Sequence, residues 1–306
     1  MSNATQSCRL EQIASMIATG ARLTRTWALT GGVSATVTGL EIELPDGRTE
    51  RLIVRQHGER DRRRDPEVAA VEFRLLHILR RLGMPVPAPR LLGRPGDPSP
   101  DPFIVVDCIE GQTEFVEQPG MITRMADQLA CIHRIVAGEH DLSFLPRHSE
   151  QIADKLRHHP AVLDESLSEG RIRAALESAW PWVQHNESAL LHGDYWPGNI
   201  LWRDGHLAGI IDWEDAAIGD PLADLGNSRL EILWAFGPAA MQEFTHHYQS
   251  LAPLDYSTLP YWDLCAALRP AGRIGAWGLA AAAERRLREL HRSFVGAALS
   301  RLPDRR

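Results

Sequence analysis

Two stretches of this 306-residue chain carry side chains that together could activate a hydroxyl group and hold a metal ion. Asp194 and Asn199 lie five positions apart in the first stretch, and Asp212 follows an apolar run in the second. A carboxylate beside a hydroxyl orients it and accepts its proton, which is the role predicted for Asp194. An amide oxygen and a second carboxylate suit Mg²⁺, so Asn199 and Asp212 are predicted to hold that ion. The combination is typical of phosphoryl transfer, which depends on positioning and charge neutralisation.

Short strands are predicted to position these groups. Residues 200–202 and 207–211 are apolar runs, and the Asp-Gly pair at 204–205 between them is a strong hairpin signal. Asp212 then stands at a strand end, where its side chain can point into a cleft. For any one aspartate taken alone, a solvated loop or a helix cap is the ordinary alternative.

Three motifs give the chain a family resemblance. They are His-Gly-Asp at 192–194 with Asn199, Ile-Asp-Trp-Glu at 211–214, and Gly-Asp-Pro-Leu-Ala-Asp-Leu at 219–225. With them the chain resembles the aminoglycoside phosphotransferase and choline kinase-like family, small-molecule relatives of the protein kinases. The resemblance covers most of the chain, and its motifs are specific to the broad family but not to one substrate.

The resemblance implies an α+β, protein-kinase-like two-lobe fold, with a small antiparallel β-sheet lobe and a larger, mainly helical lobe. Residues 1–108 would form the nucleotide-binding lobe and residues 109–306 the catalytic and substrate-binding lobe. The residue pattern itself predicts a five-stranded sheet, a charged mobile loop, and mostly helices after the sheet. The predicted strands are 27–30, 36–44, 51–55, 91–92 and 103–106, the loop is 56–65, and the helices are 11–18, 66–82, 121–136, 150–157, 165–186 and those after 221.

A glycine pair between two predicted strands is the candidate phosphate-binding loop. Glycine lets backbone N–H groups approach phosphate oxygens closely, so Gly31, Gly32 and Ser34 are predicted to bind nucleotide. A plain Gly-Gly hairpin turn fits the same residues. The sequence has neither a G-x-x-x-x-G-K-[ST] loop nor a G-x-G-x-x-G fingerprint.

A kinase-like site also needs a cation on the third strand, paired with a glutamate on the following helix. Arg55 and Glu72 occupy these positions, although spacing alone also fits Glu72 on a solvated helix face. The wider kinase pattern has lysine where Arg55 stands; the planar guanidinium differs in reach but still binds phosphate and carboxylate. By analogy with a kinase hinge, backbone groups of Cys108 and Ile109 would face the adenine, and ATP rather than GTP is the default.

The segment after Asp212 indicates a small-molecule acceptor. Protein kinases carry a long activation segment there, whereas here a Gly-Asp-Pro turn follows almost at once. Asp220 in that turn is predicted to cap the next helix. Asp224 is predicted to be a buried acid that orients the loop around Asp194, and His192 to hold the same loop by hydrogen bonds.

The identity of the acceptor stays open. Glu214 and Asp215 either support the metal ion indirectly or help accept a cationic substrate. Helices after residue 221 should supply further contacts, and they offer acids, aromatic residues and arginines such as Arg269 and Arg273. Acids would favour an aminoglycoside, aromatics a choline-like cation or an apolar macrolide, and arginines a carboxylate or phosphate. Lys155 is the only lysine, which fits a preference for arginine codons.

The composition narrows the class of protein. Hydrophobic residues make up 44% and charged residues 24%, as in a globular protein, and no apolar run approaches the roughly 18–20 residues of a membrane span. The N-terminal stretch is polar, so no signal peptide is expected. Four widely spaced cysteines suit a reduced, cytoplasmic protein. The net charge of −7 argues against nucleic acid as a partner, and the sequence does not predict an oligomeric state.

The leading hypothesis is a Mg²⁺-dependent phosphotransferase that moves the γ-phosphoryl group of ATP to a hydroxyl of a small molecule. The alternative is a non-catalytic, nucleotide- or ligand-binding pseudokinase on the same fold, because Arg55 replaces a lysine. A third hypothesis is a metal-dependent hydrolase that uses the same acids without a nucleotide.

Overall fold

The computed structural model describes residues 3–29, 35–94, 96–99, 101–136, 138–182 and 185–302. Within this part, packing separates two compact units. Unit 1 comprises Met1–Gln112 and Leu201–Glu214, and unit 2 comprises Thr113–Ile200 and Asp215–Arg306. The lobes predicted from sequence are defined by function, and their division between residues 108 and 109 stays a prediction.

Strands dominate the first third of the described chain and helices the rest. The elements are α1 (Asn3–Ile17), β1 (Arg22–Ala28), β2 (Ala35–Glu43), β3 (Thr49–His57), α2 (Glu59–Arg64), α3 (Val68–Arg81), β4 (Pro89–Gly93), β5 (Phe103–Asp107), α4 (Met121–His133), α5 (His148–Arg157), α6 (Glu169–Ala179), β6 (Ala189–Leu191), β7 (Ile200–Arg203), β8 (His206–Ile210), β9 (Ala217–Gly219), α7 (Leu222–Phe236), α8 (Pro238–Leu251), α9 (Leu259–Ala267) and α10 (Ala281–Leu299). Among the described residues, β1-β2-β3-β5-β4 form a five-stranded sheet in that order, with all neighbours antiparallel. The α+β class and the antiparallel sheet are therefore confirmed.

Unit 1 has an apolar core between α1 and one face of the sheet. Ile13 of α1, Leu40 of β2 and Leu52 of β3 are fully buried in one cluster. A strand presents every second side chain to the same face, so Arg55 and His57 of β3 lie on the face opposite Leu52. On that opposite face, Glu72 of α3 contacts Arg55 and His57.

The β7–β8 hairpin of unit 1 forms as its sequence predicts. Asp204 and Gly205 connect the strands with φ values of 51° and 74°. Two consecutive positive φ values are characteristic of the type I′ turn, whose twist matches that of the strands it joins. The hairpin ends at Ile210, two residues before Asp212.

The strand predicted at 27–30 and the helix predicted at 11–18 begin earlier than expected, as β1 and α1, and two other predicted segments differ more strongly from the structure. The mobile loop predicted at 56–65 is wrong, because β3 continues to His57 and α2 covers Glu59–Arg64, whose arginines and glutamate favour a helix. The helix predicted at 165–186 is too long. It starts as a separate 3₁₀ turn, Ser168 has a φ of 59°, and α6 ends at Ala179, before Pro181 would have to enter it.

Unit 2 is mainly helical, and a buried ion pair joins three of its helices. Arg229 of α7 donates to both carboxylate oxygens of Asp263 in α9 at 2.9 and 3.2 Å, and to the hydroxyl of Thr245 in α8 at 2.6 Å. The planar guanidinium matches the carboxylate with two parallel hydrogen bonds, which fixes the helices in register. Among the described residues, no helix combines the length and apolar character needed to cross a membrane.

Candidate active site

The loop at residues 192–199, named here the carboxylate loop, leaves β6 and leads into β7. Asp224 of α7 holds its start: the backbone N–H groups of His192 and Gly193 donate to the two Asp224 carboxylate oxygens at 2.7 and 2.9 Å. Burial alone would raise the pKa of Asp224, but His133, His192 and these hydrogen bonds outweigh it and lower the pKa. Asp224 is therefore an ionised, buried anchor, as the sequence predicts.

Gly193 is required by the backbone of the carboxylate loop. Its φ is +82°, and a Cβ atom at this position would lie 2.1 Å from the backbone oxygen of Asp215. Directly after it, the backbone N–H of Asp194 donates to Nδ1 of His192 at 3.2 Å. This hydrogen bond confirms the structural role predicted for His192.

The Asp194 carboxylate is held on both oxygens. Nδ2 of Asn199 donates to its Oδ2 at 3.3 Å and to the Asp194 backbone oxygen at 2.9 Å. Nη2 of Arg269 donates to Oδ1 at 2.7 Å, and Nη1 donates to the Gly193 backbone oxygen at 2.6 Å. The Asp194 and Arg269 side chains remain 30% and 35% exposed, so a ligand can reach both. The carboxylate is thus oriented by unit 2 and still accessible.

Glu231 of α7 is a second carboxyl group near this pair. Burial, followed by the negative charge of Asp194, raises the pKa of Glu231 to about 8, although Arg269 opposes the shift. At neutral pH Glu231 is therefore mostly protonated and contributes little negative charge.

Unit 1 contains a second group of charges, named here the guanidinium cluster: Arg55, His57, Glu72, Asp212 and Glu214. Nη2 of Arg55 donates to Asp212 Oδ1 and, at 2.5 Å, to Glu214 Oε2. Nε of Arg55 lies 3.3 Å from Glu72 Oε2, and the His57 ring is hydrogen-bonded to the same oxygen at 2.7 Å. Glu72 is 3% exposed, so it does not lie on a solvated helix face.

Charge pairing keeps Arg55 and Glu72 ionised despite their burial. Burial opposes the charge on Arg55, but Glu72, Asp212 and Glu214 outweigh it and raise the guanidinium pKa further. Burial likewise opposes the Glu72 carboxylate, yet Arg55 and His57 lower its pKa. Arg55 therefore pairs with the helix glutamate, which a kinase-like site needs from its strand cation, and it also binds the aspartate at the hairpin end.

The backbone at Asp212 is strained. Asp212 has a φ of 70°, a left-handed conformation uncommon for a residue with a side chain. Trp213 anchors the segment, since its buried indole Nε1 donates to the Ile210 backbone oxygen at 3.1 Å. Strain of this kind persists where the surroundings over-determine a position, and it clusters at functional sites.

The predicted adenine contacts lie at the end of β5 in unit 1. The backbone N–H of Cys108 donates to the Arg51 oxygen at 3.0 Å, continuing the β3–β5 ladder. A base contact by Cys108 would therefore use its carbonyl oxygen. The Ile109 side chain packs on Gly209 of β8, where a Cβ atom would come within 2.3 Å of it.

The predicted metal ligands have suitable donor chemistry. Because Asn199 uses its amide nitrogen on Asp194, its carbonyl oxygen is the atom that would face a cation. Asp212 is 25% exposed and offers a carboxylate. Oxygen donors of these two types fit Mg²⁺. Asn199 lies in unit 2 and Asp212 in unit 1.

The structure places half of the predicted site residues in one of the two clusters. Unit 2 brings Asp194 and Asn199 together, and unit 1 brings Arg55, Glu72 and Asp212 together. The remaining predicted nucleotide ligands, Gly31, Gly32 and Ser34, lie outside the described residues.

Sequence reasoning missed three side chains that contact or influence these clusters. His57 could have been found, because it lies two residues after Arg55 and so on the same face of β3. Arg269 stands out in the sequence only as one of several arginines of the helical region, and Glu231 only as one of its acids. Their relation to Asp194 depends on tertiary packing, which leaves no local signal.

Comparison with known proteins agrees with this architecture. The family model described as "Phosphotransferase enzyme family" matches residues 32–268. Viomycin phosphotransferase from Streptomyces vinaceus is 43% identical over 61 residues, which are 18% of this chain and 21% of that protein. Among solved structures, amicoumacin kinase hAmiN in complex with AMP-PNP, Ca²⁺ and Ami has a TM-score of 0.66 at 16% identity, covering 97% of this chain and 96% of that one. The GDP complex of wild-type aminoglycoside 2'-phosphotransferase-IIIa has a TM-score of 0.65 at 17% identity, covering 99% and 97%.

The fold is thus that of the aminoglycoside phosphotransferases, a protein-kinase-like class. Since the family model covers more than half of the chain, the protein belongs to the phosphotransferase enzyme family. At such low identity the solved structures speak for the fold alone. The chain spans 21% of the length of viomycin phosphotransferase and 28% of that of hygromycin-B 4-O-kinase from Escherichia coli.

Proposed function

We propose that this protein transfers the γ-phosphoryl group of ATP, with Mg²⁺, to a hydroxyl group of a small molecule. The observation that carries the proposal is the Asp194 carboxylate, oriented on one oxygen by Asn199 and on the other by Arg269, and still reachable from solvent. A fixed, accessible carboxylate can orient an acceptor hydroxyl in line with a phosphoryl group. Membership of the phosphotransferase family supports the same reaction class.

In the proposed reaction the acceptor oxygen bonds to the γ-phosphorus, and the bond from that phosphorus to the β–γ bridging oxygen breaks. ADP leaves, and the hydroxyl proton passes to Asp194. Asp194 is therefore the proposed catalytic residue, and Arg269 and Asn199 position it. Because the transition state is loose, orientation by this carboxylate matters more than its strength as a base.

The nucleotide and metal ligands remain those predicted from sequence. Arg55, placed by Glu72, would contact phosphate oxygens, and Gly31, Gly32 and Ser34 would supply backbone N–H groups to them. Cys108 and Ile109 would face the base. Asn199 and Asp212 would hold Mg²⁺, which when bound neutralises charge on the phosphates.

The base of the nucleotide is part of the proposal. One similar structure carries AMP-PNP with Ca²⁺ and another carries GDP, so ATP and GTP should be compared directly. We also place the protein in the cytoplasm, as its four cysteines, all unpaired, suit a reducing compartment. The acceptor would be a small molecule and not a nucleic acid.

A non-catalytic nucleotide- or ligand-binding role is the second candidate. The observation that favours it is Arg55, whose guanidinium is committed to three carboxylates and differs in reach from a lysine. Such a protein would bind Mg²⁺ and nucleotide without transferring phosphate.

The test is a screen of purified protein with γ-labelled ATP or GTP, with and without Mg²⁺. The acceptors are aminoglycosides, macrolides, choline, amino alcohols, sugars and hydroxy acids. Mg²⁺-dependent appearance of a labelled ester supports the proposal. Nucleotide binding without transfer to any acceptor or to water supports the non-catalytic role, and phosphoester cleavage without nucleotide supports a hydrolase.

A further inference from the structure

An exposed apolar surface adjoins the carboxylate loop in unit 2. It is named here the aromatic patch: Phe115, Val116 and Trp196. The Phe115 ring contacts the Trp196 indole, with ring centroids 6.0 Å apart and ring planes tilted by 48°. Phe115 is 49% exposed and Val116, the next residue, is 67% exposed. Single exposed apolar side chains are ordinary, whereas a contiguous patch is typical of a binding surface.

Local backbone contacts hold the aromatic patch from both segments. The Trp196 ring lies over Gly198, where a Cβ atom would come within 2.3 Å of the indole, so the contact requires glycine. In the other segment, the Glu114 carboxylate accepts the Val116 backbone N–H at 2.9 Å and closes a turn around Phe115. Both aromatic rings of the patch therefore stand on fixed backbone.

Asn199 connects the aromatic patch to the candidate catalytic carboxylate. Its backbone N–H donates to the Trp196 backbone oxygen at 3.0 Å. Its side-chain amide donates to the Asp194 backbone oxygen at 2.9 Å and to Asp194 Oδ2 at 3.3 Å. Consecutive Cα atoms are about 3.8 Å apart, so those of Asp194 and Trp196 are separated by at most about 7–8 Å. One small molecule can therefore contact both side chains.

Burial separates Tyr195 from the residues on either side of it. Tyr195 is fully buried, its hydroxyl donates to the Met125 backbone oxygen at 2.9 Å, and its backbone oxygen accepts from the Ser228 hydroxyl at 2.8 Å. Trp196 has extended backbone angles, φ −149° and ψ 166°, and successive side chains of extended backbone point to opposite sides. Asp194 is 30% exposed and Trp196 is also partly exposed. The loop thus offers a carboxylate and an indole to solvent and keeps the side chain between them in the core.

We propose that the aromatic patch is an acceptor subsite, and that the acceptor alcohol carries an apolar group that packs on Trp196 and Phe115 while its hydroxyl lies at Asp194. This inference names the acceptor class and rests on the proposed phosphotransferase function. Covering the patch removes apolar area from water on both partners, and each buried methylene strengthens binding about fourfold. The aliphatic Val116 contributes to an apolar contact but not to binding of a cation on aromatic faces. The patch therefore favours an apolar group over a choline-like cation.

The test measures binding at Trp196 directly, in full-length protein labelled with fluorotryptophan. Trp196→Phe identifies the Trp196 signal among those of the nine tryptophans in the fluorine NMR spectrum. The probes are phenethyl alcohol, choline and glycerol, each titrated without nucleotide. Phenethyl alcohol should shift the Trp196 signal saturably, and glycerol at the same concentration should not. Choline should bind at least about tenfold more weakly than phenethyl alcohol.

Substitutions within the patch show whether the bound probe lies on it. Phe115→Ala should weaken binding of phenethyl alcohol about tenfold. Val116→Ala should also weaken it, whereas Val162→Ala, at an exposed valine outside the patch, should leave it unchanged. All three side chains are exposed, so the variants should fold like the parent.

A Trp196 signal that does not respond to phenethyl alcohol overturns the proposal, and so does binding that is unchanged in Phe115→Ala. Tighter binding of choline than of phenethyl alcohol contradicts the apolar class of acceptor. A second copy of the chain is the other possible occupant of the patch. Sedimentation that shows a dimer dissociated by Phe115→Ala would assign the patch to self-association and overturn the acceptor subsite.

The NMR titration needs neither nucleotide nor turnover, so its result is separable from that of the phosphotransferase proposal. No binding at Trp196 in a protein that phosphorylates polar alcohols removes the subsite and keeps the enzyme. Saturable binding in a protein that transfers no phosphoryl group keeps the apolar site and removes the enzyme. In an active enzyme, phenethyl alcohol should have a KM at least about tenfold below that of ethanol, and Phe115→Ala should reduce this difference. Equal KM values for the two alcohols would contradict the subsite.

Discussion

Charge pairing around single residues decides how the two clusters behave. Arg55 in unit 1 is bound to three carboxylates, and Asp224 in unit 2 accepts hydrogen bonds from two backbone groups. Each is mostly buried, so removing its charge leaves its partners buried without a countercharge or hydrogen-bond partner and without water to solvate them. These residues should therefore influence stability as well as activity.

Replacing Arg55 by methionine should destabilise the protein by about 3–5 kcal/mol, because Glu72, Asp212 and Glu214 would be left without their cation. Equilibrium unfolding in urea measures the effect. The matched control is Arg22→Met in an exposed pair with Glu43, where the loss should be about 1 kcal/mol or less. Equal losses for the two variants would contradict the bridging role of Arg55.

Glu231 predicts a pH dependence of stability. Its pKa rises from an ordinary value near 4.5 to about 8 in the folded protein. Between these values the folded state binds more protons than the unfolded state, so the Glu231 contribution makes stability fall as pH rises, by at most about 1.4 kcal/mol per pH unit. Glu231→Gln should remove that slope, and the gain over the parent should grow from pH 5 to pH 8. Exposed Glu243→Gln on α8 is the control. A constant difference between Glu231→Gln and parent across this range would refute the assignment.

The candidate site residues could be predicted from the sequence because their types and spacing form recognisable patterns. Asp194 with Asn199 is an example, and so is Arg55 with its helix partner Glu72. Arg269 could not be read in this way, since it lies 75 positions from Asp194 and only folding brings them together.

Short elements place these side chains through backbone conformations that only some residues allow. The carboxylate loop turns at Gly193, and the β7–β8 hairpin turns at Gly205; both have φ values well above zero. Their surroundings differ, because a Cβ atom at Gly193 would meet the Asp215 backbone, whereas nothing lies within 4 Å at Gly205. The two glycines separate the effect of φ from the effect of space.

Gly193→Ala should therefore be much more harmful than Gly205→Ala. The left-handed conformation alone costs an alanine about 1–2 kcal/mol, which is the loss expected for Gly205→Ala. Gly193→Ala adds a backbone clash at 2.1 Å and must shift the loop that carries Asp194. Urea unfolding should show a larger loss of stability for Gly193→Ala than for Gly205→Ala. The transfer assay should show a loss of activity for Gly193→Ala only. Similar behaviour of the two variants would show that the loop can relax.

Local patterns predicted most elements. They failed where a helix-breaking proline was overlooked and where a charged segment was taken for a loop. The Asp-Gly turn at 204–205 and the alternation in β3 were sufficient signals. The overlong helix at 165–186 ignored Pro181, and the loop at 56–65 was inferred from charge although its residues favour a helix. Charge density is thus a poor guide to disorder when the charged residues are arginine and glutamate.

At the scale of the whole molecule, the two units each carry part of the proposed machinery. Unit 1 contains the guanidinium cluster and the predicted hinge residues Cys108 and Ile109, and unit 2 contains Asp194, Asn199 and Arg269. The fold could be predicted because its motifs are shared by a broad family. The acceptor could not be predicted, because the helices that would contact it carry no sequence motif that specifies a substrate.

Binding of Mg²⁺ and ATP should stabilise the whole protein. A ligand that binds only the folded state at a hundred times its Kd adds about 2.7 kcal/mol and raises Tm. Thermal unfolding with ATP should show a shift that chelation of Mg²⁺ reduces. Asp212→Ala should abolish the Mg²⁺-dependent part, whereas Asp204→Ala in the exposed hairpin turn should keep it. A shift that ignores both Mg²⁺ and Asp212 would argue against the predicted metal ligand.

The most direct measurement compares binding and transfer in Asp194→Asn, using Mg²⁺, γ-labelled ATP and an acceptor that the parent protein phosphorylates. Since Asp194 is proposed to orient the acceptor and take its proton, the variant should bind ATP as tightly as the parent. It should form the phosphate ester about 10²–10⁴ times more slowly. Ester formation at the parental rate, with nucleotide binding unchanged, would contradict the proposed role of Asp194.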